Sequence, residues 1–154
     1  MLIASGGDTV EALLRDPSIR DLVEQVIVIE SDPRRRVDLE RIGDVLVIEG
    51  DATDTSIYEN LNTAEIDAVL ALTSKDEVSS LVLAIASQYK VPIRIGVFRE
   101  ARIAEIARNL RLEIPIVKPT VVAGEIKRVF ASLRSPVELG STIWRVQVVC
   151  CHNT

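Results

Sequence analysis

Six short apolar runs, each followed by a polar or amphipathic stretch, recur from the first residue to about residue 133. This alternation constrains the fold more than any other feature of the chain. The runs are Leu2-Ile3-Ala4, Val26-Ile27-Val28-Ile29, residues 44–48, Val69-Leu70-Ala71-Leu72, residues 93–98 and residues 114–117. They are rich in Val, Ile and Leu and show no strict polar alternation, the pattern of parallel strands buried on both faces. The stretches between them read as helices over 9–15, from Pro33 onward, over 55–61, 76–89 and 101–110, and beyond Pro119 to about residue 133. Asp16-Pro17-Ser18 interrupts the first. Pro33 suits a helix start because its fixed φ is already helical. Ile103, Ile106, Ala107 and Leu110 recur at helical spacing.

Six strand–helix units in series with short connections predict an α/β fold whose parallel sheet is covered by helices on both faces. The right-handed crossover rule favours the doubly wound, Rossmann-like topology. After Arg134-Ser135-Pro136 the pattern changes, which divides the chain into a Rossmann-like unit over 1–135 and an extension over 136–154 with one strand at 141–149. That strand carries apolar residues on both sides (Ile143 and Val149 against Trp144, Val146 and Val148), so it calls for a partner. The expectation is a piece of a longer protein, or a subunit whose last strand packs on another chain.

Composition narrows the function. Of the 154 residues, 47% are hydrophobic and only 3% aromatic, and the formal net charge is -5. An acidic, aromatic-poor chain offers no attractive field to nucleic acid. No apolar run reaches the roughly 18 residues of a membrane-spanning helix, and the N-terminus lacks the basic and apolar regions of a secretory signal. Cys150 and Cys151 are adjacent and, with His152, form a cluster poorly spaced for one tetrahedral metal site. No metal is expected, and the cysteine usage fits a cytoplasmic protein.

In a doubly wound sheet, ligands bind at the carboxyl ends of the strands near the switch point. The first such turn is Ala4-Ser5-Gly6-Gly7-Asp8-Thr9. The positions of a dinucleotide fingerprint fall on Ala4, Gly6 and Thr9, so only the middle glycine is kept, the one that lets pyrophosphate approach the backbone. Asp8-Thr9-Val10-Glu11 has capping-box spacing, so Asp8 is expected either to cap the helix in place of a phosphate or to force a different approach of the ligand. Glu30 ends the second strand about twenty residues later, where a carboxylate accepts ribose hydroxyls and disfavours a 2′-phosphate. Asp51 follows the third strand, and Asp54 or Thr53 is placed to cap the next helix. Thr73 ends the fourth strand, and Asp76 is read as a helix cap. Arg34-Arg35-Arg36 is read as a solvated face or a phosphate contact.

Three segments carry a resemblance. Val-Ile-Glu-Ser-Asp-Pro at 28–33, Gly-Asp-Ala-Thr-Asp at 50–54 and Ala-Leu-Thr-Ser-Lys-Asp-Glu at 71–77 resemble the TrkA-N family, also called the RCK N-terminal domain, across residues 26–130. The resemblance implies a regulatory module of potassium channels and transporters that binds NAD(H), ATP or ADP and pairs through the helix after the sixth strand. Carried over by position, the ligand contacts would be Ser5, Gly6, Gly7, Asp8, Thr9, Glu30, Ser31, Asp51, Ala52 and Thr73. The implied partners are a membrane subunit of a potassium channel or transporter and a second copy of the chain. The family's fifth strand usually carries an arginine near the phosphates; Val97 stands there. Ser79 or Ser80 replaces an asparagine often found in the fourth helix. Two other readings stay open. An oxidoreductase needs an acid or base beside the nicotinamide, whereas the only histidine is His152 and the Tyr89-Lys90 pair lacks helical spacing. A ligand-free assembly scaffold is the third.

Overall fold

A computed structural model of the chain describes residues 1–4, 7–111 and 114–132. The expected strand over 141–149 and the Cys150–Cys151–His152 cluster lie outside the described residues. Six parallel strands form one sheet: β1 (Leu2–Ala4), β2 (Val26–Glu30), β3 (Val45–Glu49), β4 (Ala68–Ala71), β5 (Ile93–Phe98) and β6 (Ile114–Val117), in the order β3-β2-β1-β4-β5-β6. All five pairings are parallel. This is the doubly wound, Rossmann-like sheet, with β1 between β2 and β4 at the point where the strand order reverses.

Among the described residues seven α-helices connect and follow the strands: α1 (Asp8–Arg15), α2 (Pro17–Arg20), α3 (Pro33–Glu40), α4 (Thr55–Asn60), α5 (Asp76–Gln88), α6 (Ala101–Asn109) and α7 (Lys118–Ser132). Successive strand residues face opposite sides, and the core divides accordingly. Ile3, Val26 and Val28 pack with Val10 and Leu14 of α1 and Leu39 of α3. Leu2, Ala4, Ile29, Val69 and Ala71 pack with Tyr58 of α4, Val82, Leu83 and Ala86 of α5, and Ala104 and Ala107 of α6. Each fully buried Leu, Ile or Val contributes on the order of 2 kcal/mol, and β1 serves both layers with only three residues.

Short-range chemistry sets most helix starts. Asp16, Asp32 and Asp54 are the N-caps of α2, α3 and α4; their carboxylates accept from the amides of Ser18, Arg34 and Ser56, each at 2.9 Å. Proline occupies the first turn of α2 and α3. The Asp16-Pro17-Ser18 break therefore ends α1 and starts a four-residue helix of its own. Asp44 was expected to open β3 but has φ 48° beside Gly43 at φ 83°, so the strand begins one residue later. A 3-10 turn over Thr63–Glu65 precedes β4.

Two expected caps are corrected. The N-cap of α1 is Gly7, and Asp8 is already helical and fully exposed. The N-cap of α5 is Lys75, so Asp76 does not cap its own helix. Asp76 is instead buried, 6% exposed, and accepts from the backbone amides of Arg99 (3.0 and 3.1 Å) and Glu100 (2.9 Å). It ties the start of α5 to the β5–α6 turn. Deleting the carboxylate strands both amides, each costing about 1–3 kcal/mol. Asp76→Ala is expected to lower unfolding free energy by about 3 kcal/mol in urea titrations, with Asp76→Asn losing less because one acceptor oxygen remains.

Candidate functional site

A crevice of about 490 Å³ opens at the carboxyl ends of β1 to β4. Gly7 contributes the β1 turn, Glu30 and Ser31 the end of β2, Gly50, Asp51 and Ala52 the turn after β3, and Thr73, Ser74 and Lys75 the turn after β4. Arg35 of α3 and Val78 of α5 complete the lining. The topology alone brings these segments together: β1 and β4 are adjacent in the sheet although four α-helices and two strands separate them in the chain.

Of the residues singled out in the sequence, Gly7, Glu30, Ser31, Asp51, Ala52 and Thr73 line this crevice. Asp8 and Thr9 are exposed on the first turn of α1 and are not among its lining residues. Ser5 and Gly6 lie outside the described residues. Gly7 has φ 120° and ψ -170°, a conformation that side chains rarely adopt, and no atom lies within 4 Å of where its Cβ would be. Glycine is needed there by conformation rather than by crowding.

Glu30 is the buried acid of the site, 4% exposed. Its Oε1 accepts from the Asp32 amide at 3.0 Å, and its Oε2 lies 3.5 Å from Arg35 Nε. The same guanidinium stands 3.9 Å from Glu11 and 3.9 Å from Asp8. Arg35 thus joins α3 to α1 and β2 through three carboxylates. The basic run splits by helix phase: Arg35 turns to the crevice, while Arg36 pairs with Glu40 at 2.8 Å and Glu49 at 3.0 Å.

Across the crevice, Asp51 Oδ1 accepts from the Thr53 amide at 2.8 Å and the Thr53 hydroxyl at 2.7 Å. Those two bonds, the amide first, hold its carboxyl below the ordinary range. Thr73 Oγ1 donates to the Lys75 carbonyl at 2.8 Å and lies 2.7 Å from the Ser79 hydroxyl. Val97, at the position where an arginine was considered, is buried in the layer containing Ile3 and Val10.

Sequence reasoning missed three residues. Arg35 was seen only as part of a charge run. Lys75 lines the crevice and also a larger groove of about 980 Å³ that reaches Lys118 and Val122 of α7. Tyr58 lies beneath the site: its buried hydroxyl donates to the Ala52 carbonyl at 2.8 Å, and its ring stacks on Tyr89 with centroids 6.1 Å apart. A phenol six residues after the Gly50-Asp51-Ala52 turn was the one signal available for this contact.

The family profile described as the TrkA-N domain matches residues 1–117. A protein named Trk system potassium uptake protein TrkA homolog, from Pyrococcus abyssi (strain GE5 / Orsay), is 39% identical over 61 residues, covering 40% of this chain and 27% of that protein. Among solved structures, the NAD(P)-binding domain of an exopolyphosphatase-related protein from Archaeoglobus fulgidus is 20% identical with a TM-score of 0.68, covering 86% of this chain and 95% of that one. The GsuK channel bound to NAD is 18% identical, TM-score 0.62, over 75% of this chain and 21% of that one. GsuK bound to ADP is 16% identical, TM-score 0.64, over 75% and 30%.

Burial, with a smaller contribution from the Asp51 charge, raises the Tyr58 phenol from its ordinary 10.0 to about 12. The folded state favours the neutral phenol, so this stabilisation is complete below about pH 10 and is lost as pH rises towards 12. Alkaline titration is expected to show Tyr58 ionising only as pH approaches about 12. Tyr58→Phe should cost about 1–2 kcal/mol at neutral pH and remove this part of the alkaline decline in urea midpoints.

Proposed function

This chain belongs to the TrkA-N domain family, and from that premise we propose that it is a nucleotide-binding regulatory domain of a potassium channel or transporter. The observation that carries the reading is the crevice at the switch point, where Gly7 and a buried Glu30 face the Asp51–Ala52 turn. The ligand is NAD(H), ATP or ADP. Gly7 lies towards the phosphates; Glu30 and Ser31 take the ribose; Asp51 and Ala52 meet the adenosine end; Thr73 closes the wall. The neighbours solved as GsuK with NAD and with ADP support this range of ligands. A carboxylate at the β2 end selects a free ribose 2′-hydroxyl over a 2′-phosphate. The chain senses a ligand rather than turning one over.

Regulation requires the ligand to bind two states with different affinity. Pairing through α7 supplies the second state. Val121, Val122, Ile126 and Val129 of α7 are all about half exposed, and Ile93, Ile114 and Ile116 are exposed on β5 and β6. A homodimer that buries these apolar side chains transmits the change to a membrane subunit at the cytoplasmic face. Among the described residues, no helix is long and apolar enough to cross a membrane. The aligned stretch spans 27% of the Pyrococcus relative.

Calorimetric titration should show NADH, ATP or ADP binding at micromolar to millimolar concentration, with NADPH weaker than NADH; heat from none of them up to millimolar levels would sink the reading. Light scattering should report a dimer for the native chain and a monomer for Ile126→Asp. An unchanged mass in that variant would rule out pairing through α7.

A further inference from the structure

The crevice is electrically polarised along the sheet. Its acids, Glu30 and Asp51, stand at the ends of β2 and β3, and its two cations, Arg35 and Lys75, are not equivalent. Arg35 is committed. One guanidinium faces the carboxylates of Glu30, Glu11 and Asp8 at 3.5–3.9 Å, so that group of side chains is net negative with the arginine included. A phosphate arriving on the β2 side meets these carboxylates and is repelled by them at close range.

Lys75 stands on the other side of β1, in the turn after β4. Its side chain is exposed, and among the described residues no carboxylate lies within ion-pair distance of its ammonium. Its backbone is nevertheless held on both flanks. The Lys75 carbonyl accepts from Thr73 Oγ1 at 2.8 Å, and the next residue is the buried Asp76, bound to the Arg99 and Glu100 amides. An exposed cation on an anchored backbone suits a group that must reach a phosphate without being neutralised beforehand.

Resting on the nucleotide reading above, we propose that Lys75 is the specificity-determining cation of the crevice. It selects ligands that carry a diphosphate over the bare nucleoside, while Arg35 serves the protein's own acids. Sugar and base then lie towards β2 and β3, and the charged end of the ligand lies towards β4.

The test titrates adenosine, ADP and NADH into the full chain and into Lys75→Ala and Lys75→Arg at one fixed ionic strength. Lys75→Ala should weaken ADP and NADH about tenfold, the value of one charge-assisted contact, and leave adenosine unchanged. Lys75→Arg should recover most of the loss. Raising the salt concentration should weaken ADP binding to the native chain more than to Lys75→Ala. ADP affinity within twofold of native in Lys75→Ala overturns the proposal while the nucleotide reading stands. An equal loss for adenosine also overturns it, because Lys75 would then be shaping the crevice rather than reading charge. A native chain that binds none of the three overturns both.

Discussion

The hydrogen-bond ladder of β1 carries the rest of the molecule. Its three residues pair with β2 on one side and β4 on the other, Leu2 with Ile27 and Val69, Ile3 with Val28 and Leu70, Ala4 with Ile29 and Ala71. A strand bonded on both edges must satisfy every backbone group within the sheet. Its side chains also join both core layers, Leu2 and Ala4 on one face and Ile3 on the other. Because the strand order reverses at this ladder, the connections leave β1 and β4 in opposite directions, and a crevice opens between them.

The crevice is held by charge as much as by packing. Arg35 and Asp76 have related tasks on its two sides. Arg35 draws α3 towards β2 through Glu30 and towards α1 through Glu11 and Asp8, and Asp76 draws the start of α5 to the β5–α6 turn. Both use a charged group against partners distant in sequence. Between them, Asp51 and Tyr58 fix the β3–α4 turn from above and below, the first by accepting from Thr53 and the second by donating to Ala52. The result is a rim cross-linked by these contacts, with Lys75 as the cation left outside the ion pairs.

The turns read well from sequence wherever one residue served one local purpose. Asp54, one of the two residues the sequence offered there, caps α4 through an amide two residues ahead, and Pro33 marked the start of α3; Asp16 and Asp32 cap at the same spacing but were not singled out as caps. Asp8 and Asp76 have the same chemistry and were misread. In α1 the cap is Gly7, whose positive φ starts the helix one residue before the expected position. For Asp76 the decisive amides lie 23 and 24 residues away, and no local pattern announces them. Arg35 was hidden for a third reason, since the phase of α3 on the sheet decides which of three consecutive arginines turns inward.

By itself the sequence determined the kind and order of the six described strands and of the helix that follows each, though not the short α2 or the 3-10 turn before β4. Runs of Val, Ile and Leu bury themselves on both faces, and the connections between them are too short for other arrangements. It also placed Glu30, Asp51 and Thr73 at strand ends. Tertiary structure decided which of these residues share a site and in what electrostatic state. Gly7, Glu30, Ala52 and Thr73 meet only because β1 pairs with β4, and Arg35 is spent on acids from two other elements while Lys75 is not. Pairings of that kind depend on distance across the sheet, which sequence spacing does not encode.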